Sequence, residues 1–93
     1  MVYKFIREYK DYTQAQVEVE IKRLRAELEE VYEVSNALRS TIKTFDNLML
    51  KETRTERILT LSKSLEVTKE TYNVYLDTVH EINERMQVLE ALA

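Results

Sequence analysis

The 93-residue chain has no glycine, no proline, no cysteine and no tryptophan. Average usage would supply about 7% glycine and about 5% proline, so roughly eleven such residues are missing. Tight hairpin turns, left-handed helix C-caps and phosphate-cradling loops all draw on glycine. Their absence argues against β-sheet and for a chain of long, uninterrupted helices. Zero cysteines exclude disulfides and thiolate metal sites and leave the redox compartment open. Long apolar runs are missing as well. None exceeds three residues, as at Leu48-Met49-Leu50, so no membrane span is expected. Lys4, Arg7, Glu8, Lys10 and Asp11 stand where a cleaved leader would need its apolar core. The expectation is a cytoplasmic protein, or one exported without a leader.

What is present is a heptad pattern. In the first half Val17, Ile21, Leu24, Leu28, Val31, Ser35, Leu38, Ile42, Phe45 and Met49 step alternately by four and three. In the second half Ile58, Leu61, Leu65, Thr68, Tyr72, Tyr75, Val79, Ile82, Met86 and Leu89 do the same. A sustained period of 3.5 residues marks helices that pack side by side along a seam of a and d positions. Met49 and Ile58 are equivalent positions but lie nine residues apart, two more than a heptad. One continuous helix would have to rotate its seam abruptly there, so the chain is expected to break and reverse. A single long helix in a parallel dimer is the competing reading.

Thr53-Arg54-Thr55-Glu56 fits a capping box at the start of the second long helix, and Thr13-Gln14-Ala15-Gln16 fits one before the first. Before that, Val2, Phe5, Ile6, Tyr9 and Tyr12 share one side of a helical wheel and form a candidate packing helix. The expected elements are a short helix at 2–11 and long helices at 13–51 and 54–92, all in one helical domain. The fold class is all-α: an antiparallel two-helix coiled-coil hairpin with a short N-terminal helix. In that register Phe45 faces Leu65, Ser35 faces Tyr75 and Leu24 faces Met86.

A lone hairpin buries one stripe per helix, which is little core for 93 residues. A second stripe is available at adjacent g and c heptad positions. It comprises Val34, Ala37, Thr41, Thr44 and Leu48 on the first helix, with Thr60, Ser64, Val67, Thr71, Val74 and Thr78 on the second. Towards the termini the same positions hold Gln16, Glu20, Arg23, Glu27, Glu30, Glu81 and Arg85. The small and β-branched stretch is a candidate oligomer interface, making a four-helix-bundle homodimer the expected assembly. The simpler reading is a solvated Ser/Thr face.

Chemistry-bearing motifs are scarce. His80 is the single histidine, and Asp77 stands three residues before it. That is the carboxylate–histidine spacing of di-metal bundles, which need two such motifs and two further inward carboxylates. In the heptad frame both residues point away from the seam. No nucleophile has a partnered base, so neither catalysis nor a metal or other cofactor is expected. The net charge of −3, with 33% charged residues of both signs, gives no global pull toward nucleic acid. Charge is uneven, however. Arg39, Lys43, Lys51, Arg54, Arg57 and Lys63 form a candidate basic tip near the reversal, whose simplest role is solubility. A sharper role is docking to an acidic protein surface or to phosphates.

In size and style the chain resembles small helical proteins of phages, viruses and mobile elements. The leading expectation is a non-enzymatic protein–protein interaction module, a homo-oligomeric adaptor, regulator or inhibitor. Its partners would be a second copy, or another protein met through the tip or the N-terminal helix. One alternative is a small nucleic-acid-binding regulator that uses the basic tip. A second is a secreted helical hairpin resembling type VII secretion substrates. Those carry a Trp-x-Gly turn and a Tyr-x-x-x-Asp/Glu tail signal, whereas this chain has neither Trp nor Gly, and Tyr72 is followed four residues later by Leu76.

Overall fold

With no residue to break them, the two heptad stretches form single helices of 38 residues each, α2 (Gln14–Lys51) and α3 (Thr55–Leu92). A short α1 (Val2–Tyr9) precedes them. The computed structural model describes residues 2–93, and their side chains from Lys4 onward. There is no strand among the described residues, and no helix is long and apolar enough to cross a membrane. The chain reverses over Glu52–Arg54, so α2 and α3 pack as a hairpin.

Burial follows the seam. All twenty a and d positions, from Val17 to Met49 and from Ile58 to Leu89, are buried or half-buried. The hairpin resolves into two compact units. A terminal unit comprises Met1–Tyr32 with Asp77–Ala93, and a turn unit comprises Glu33–Leu76.

In the terminal unit α1 adds a third helix. Phe5 and Tyr9 are buried with Val17, Leu24, Val31, Val79, Ile82, Val88 and Leu89. Arg23 and Leu24 of α2 border the same depression as Ile82 and Arg85 of α3, within a helical turn of the expected Leu24–Met86 pairing. Arg85 fastens α1. Its Nη1 donates to both Glu8 carboxylate oxygens at 2.9 Å and to the Tyr9 hydroxyl at 2.8 Å, while Nη2 donates to Glu81 at 3.2 Å. The guanidinium also lies 4.4 Å from the Phe5 ring centroid, in range for a cation–π contact. Burial by itself would lower the guanidinium's proton affinity. The bonds to Glu8, Tyr9 and Glu81 outweigh burial and raise it.

The turn unit has two helices only. Leu65 is its one buried apolar side chain, joined by Ser35 at 5% exposure. The remaining seam residues there, including Phe45, Tyr72 and Tyr75, are half-buried. The Ser35 hydroxyl is buried without a protein partner.

Three expected boundaries move by one or two residues, for reasons that lie in the caps. The short helix ends at Tyr9 rather than Asp11, where the Tyr12 amide donates to the Tyr9 carbonyl at 3.0 Å. The capping box at Thr13 forms: the Thr13 amide donates to Gln16 Oε1 at 2.9 Å and the Gln16 amide to Thr13 Oγ1 at 3.2 Å. The box at Thr53 does not. Arg54 stands at the cap position, its carbonyl accepting from the Ile58 amide at 3.0 Å. Glu52 Oε1 takes the free amides of Thr53 and Arg54 at 3.2 and 3.1 Å. A carboxylate reaching these amides is charge-assisted, which favours it over the Thr53 hydroxyl.

Two stability changes are expected. Arg85→Ala removes the charged hydrogen bonds and the ring contact that hold α1, about 2 kcal/mol in all. The thermal midpoint should fall by roughly 10 °C. Ser35→Ala should raise stability by about 1 kcal/mol, because it removes a buried hydroxyl with no protein partner. Urea unfolding followed by circular dichroism reads both, and a loss on Ser35→Ala would show that the hydroxyl is satisfied.

Candidate functional site

In an antiparallel pair the g positions of one helix lie beside the g positions of the other, and the c positions lie just outside them. One flank of the turn unit therefore collects Val34, Ala37, Thr41, Thr44 and Leu48 of α2 with Thr60, Ser64, Val67, Thr71 and Val74 of α3. None of these ten carries a charge. The other flank, at the e and b positions, carries Arg39, Lys43, Asp46, Glu66 and Lys69.

The uncharged flank is open. Val67 and Val74 are each 62% exposed, Leu48 45% and Val34 39%. Ala37 and the four threonines are exposed too, and only Ser64 is half-buried. The threonine hydroxyls face inward along their own helices. Thr41 donates to the Ala37 carbonyl, Thr44 to Ser40, Thr60 to Glu56 and Thr71 to Val67, all at 3.0–3.1 Å. Each bond uses the polar atom locally and leaves the γ-methyl to define the surface. This flank is thus more apolar than its composition implies.

Thr78, placed in the same stripe by the heptad count, belongs to the terminal unit. There it is half-buried beside a polar depression lined by Glu8, Arg23, Glu27, Glu81 and Arg85. In that unit the g and c flank of α3 is already covered. Arg85 is a g position bound to α1, and the buried Val88 is a c position bordering Ile6. The same type of flank that carries α1 in one unit is uncovered in the other.

The candidate packing helix divides in two. Phe5 and Tyr9 face the core, while Ile6 and Tyr12 stay 41% and 39% exposed, with the Tyr12 ring edge-on to Tyr9 at 5.0 Å. The Val2 side chain lies outside the described residues. Burial raises the proton affinity of the Tyr9 phenol, against the pull of its Arg85 bond.

All six residues of the candidate basic tip are exposed, but they do not act alike. Arg54 and Arg57 share the Glu52 carboxylate at 3.2 and 3.3 Å. Arg39, Lys43, Lys51 and Lys63 have no ion pair among the described residues. They do not converge: Arg39 and Lys43 sit on the charged flank, and Lys63 on the outer side of α3. Asp77 and His80 are exposed, as their heptad positions require, and among the described residues no three acidic or histidine side chains gather as metal ligands.

Sequence reasoning passed over Glu52 and the Arg85–Glu8–Tyr9 cluster. The latter joins residues 77 apart, so no local pattern announces it. By heptad position Arg85 is only one of several charged residues at the terminal g and c positions. Compared with family models, with curated proteins and with solved structures, the chain matches none.

Glu52 gives the turn a measurable signature. The Arg54 amide, together with its guanidinium, holds the Glu52 carboxyl below the ordinary carboxylate range. A depressed group stabilises above its unfolded value, and that contribution is lost as pH falls through the folded one. The Thr53 and Arg54 amide resonances should titrate together, with a midpoint below that of an ordinary exposed glutamate. Glu52→Gln should abolish the titration, and a midpoint at or above the ordinary range would show that the carboxylate does not hold the turn.

Proposed function

We propose that this chain is a non-enzymatic protein–protein interaction module that works as a homodimer, with the uncharged stretch of the turn unit's g and c flank, 34–48 of α2 and 60–74 of α3, as the contact surface. The observation that carries this reading is the uncovered core of that unit. Its seam is mostly half-buried, and one of its flanks presents Val34, Leu48, Val67 and Val74 to solvent without a charge among them. A contiguous apolar face of this kind marks an interaction site more often than a free surface.

A second copy is the occupant that the chemistry favours. The flank is itself two parallel ridges of small and β-branched side chains, so it is complementary to another copy of itself without needing a charge partner. Small residues let helices approach closely, and stacking two such flanks makes an antiparallel four-helix bundle. A two-fold contact also buries both faces at once.

The nucleic-acid reading of the basic tip has less support. Glu52 neutralises part of it, and the four unpaired cations are spread over different sides of the hairpin. No aromatic ring stands among them to stack on bases.

Light scattering on the purified protein should give a mass near twice the 11.1 kDa of one chain. The double variant Val67→Glu, Thr71→Glu puts charge into the contact and should weaken the dimer by at least about a hundredfold, with the helical circular dichroism signal retained. A wild-type monomer overturns the homodimer, and a double variant that stays dimeric overturns this choice of surface.

A further inference from the structure

Within the terminal unit a short helix is docked on a helix pair, and it is held lightly. α1 has eight residues, whereas helices shorter than about 12–15 residues are marginal in water on their own. It is therefore helical because it is docked. Of its described side chains Phe5 and Tyr9 are buried, while Lys4, Ile6, Arg7 and Glu8 are exposed. Burying two rings offsets little of the entropy lost in ordering eight residues, so α1 is the element expected to open first.

The start of α2 does not depend on α1. Its first turn is closed by its own box between Thr13 and Gln16, and the connecting residues 10–13 are exposed. Release of α1 thus leaves that cap intact.

The seat that α1 would vacate has a defined chemistry. Phe5, Glu8 and Tyr9 stand at i, i+3 and i+4, on one face of a helix, and all three meet the Arg85 guanidinium. Val88 and Leu92 of α3 border Ile6 on one side of this contact. On the other, Arg23 and Leu24 of α2 border Glu8. Arg23 is already occupied by Glu20 and Glu27, and Glu81 takes only Nη2 of Arg85. With α1 gone, Nη1 of the half-buried Arg85 loses the Glu8 and Tyr9 oxygens, and a charged donor in that position strongly favours an acceptor. The seat therefore selects a ring against the guanidinium, a carboxylate about one turn further on and a second ring beside it.

We propose that α1 is a strap seated in a helix-binding groove of the terminal unit, and that its release admits a short amphipathic helix of another protein with the same aromatic, carboxylate, aromatic spacing. Helix-in-groove recognition works through anchors at such spacings. Tethering gives α1 an effective concentration on the order of millimolar, so it shields the groove until a tighter helix displaces it. The site uses none of the residues assigned to the dimer contact.

A fluorescent peptide of residues 1–12 stands in for the partner helix, with the full chain as receptor. Phe5→Ala in the protein weakens the strap and leaves Arg85, Val88 and Leu24 in place. Apparent affinity rises with the fraction of open grooves, so anisotropy should report binding at least about tenfold tighter to Phe5→Ala than to wild type. Adding Arg85→Ala to that protein, or Glu8→Ala to the peptide, should cancel the gain. In wild type the amides of residues 6–9 should exchange with solvent at least about tenfold faster than those of Leu24 and Ile82. Light scattering should give Phe5→Ala the same mass as wild type. Equal binding to both proteins, or binding indifferent to Arg85 and Glu8, overturns the groove. Exchange at 6–9 no faster than at Leu24, or loss of the hairpin's helical signal in Phe5→Ala, makes α1 a fixed part of the core and overturns the strap. A fall in mass would give the seat to α1 of a second copy and overturn the foreign partner.

Discussion

Burial of one seam, shared along α2 and α3, is the constraint on which the rest of this fold depends. Neither helix has an apolar stripe wide enough to form a core alone, and each hides its own only against the other. Pairing is only half of the requirement, because a two-helix seam stays wet along its edges. Among the described residues, nine of the ten buried apolar side chains belong to the terminal unit, where α1 seals an edge. Leu65 is the tenth. The difference between the two units is thus a difference in coverage, since the heptad pattern is equally regular in both.

The charges divide by the same criterion. Most lie on open helix faces, where ion pairs such as Arg23 with Glu20 and Glu27 add little to stability. Two do more. Arg85 gathers Glu8, Tyr9, Glu81 and the Phe5 ring around one guanidinium, whose planar set of donors can serve several acceptors at once. Glu52 collects two amides and two arginines at the chain reversal. Together they stand in for glycine and proline. One holds the third helix down, and the other closes a turn without a residue at positive φ, of which there is none among the described residues.

Legibility varied with the range of the interaction concerned. Heptad spacing is a repeated local signal, so the a and d positions could be named one by one, and each is at least half-buried. Caps are local too, but two solutions can compete for the same amides. Thr13 has only Gln16 nearby and forms the expected box, whereas Thr53 is displaced by the adjacent Glu52 carboxylate. The site reads less well. The stripe from Val34 to Val74 follows from heptad position, yet the inward turn of its threonine hydroxyls depends on rotamers that composition does not specify. Thr78, alike in type and phase, falls into the other unit.

By itself, then, the sequence determined the class of fold, the two long helices, the point of reversal and the side of each helix that turns inward. These are consequences of residue type and spacing, which act within a few turns of chain. Only the tertiary structure decided which stretch of the hairpin α1 covers and which stretch it leaves open. That outcome hangs on contacts between residues as far apart as Glu8 and Arg85, whose energies depend on geometry rather than on pattern. The missing glycine and proline made the helices long, and the coverage of their shared flank is what gives one part of them a surface to offer.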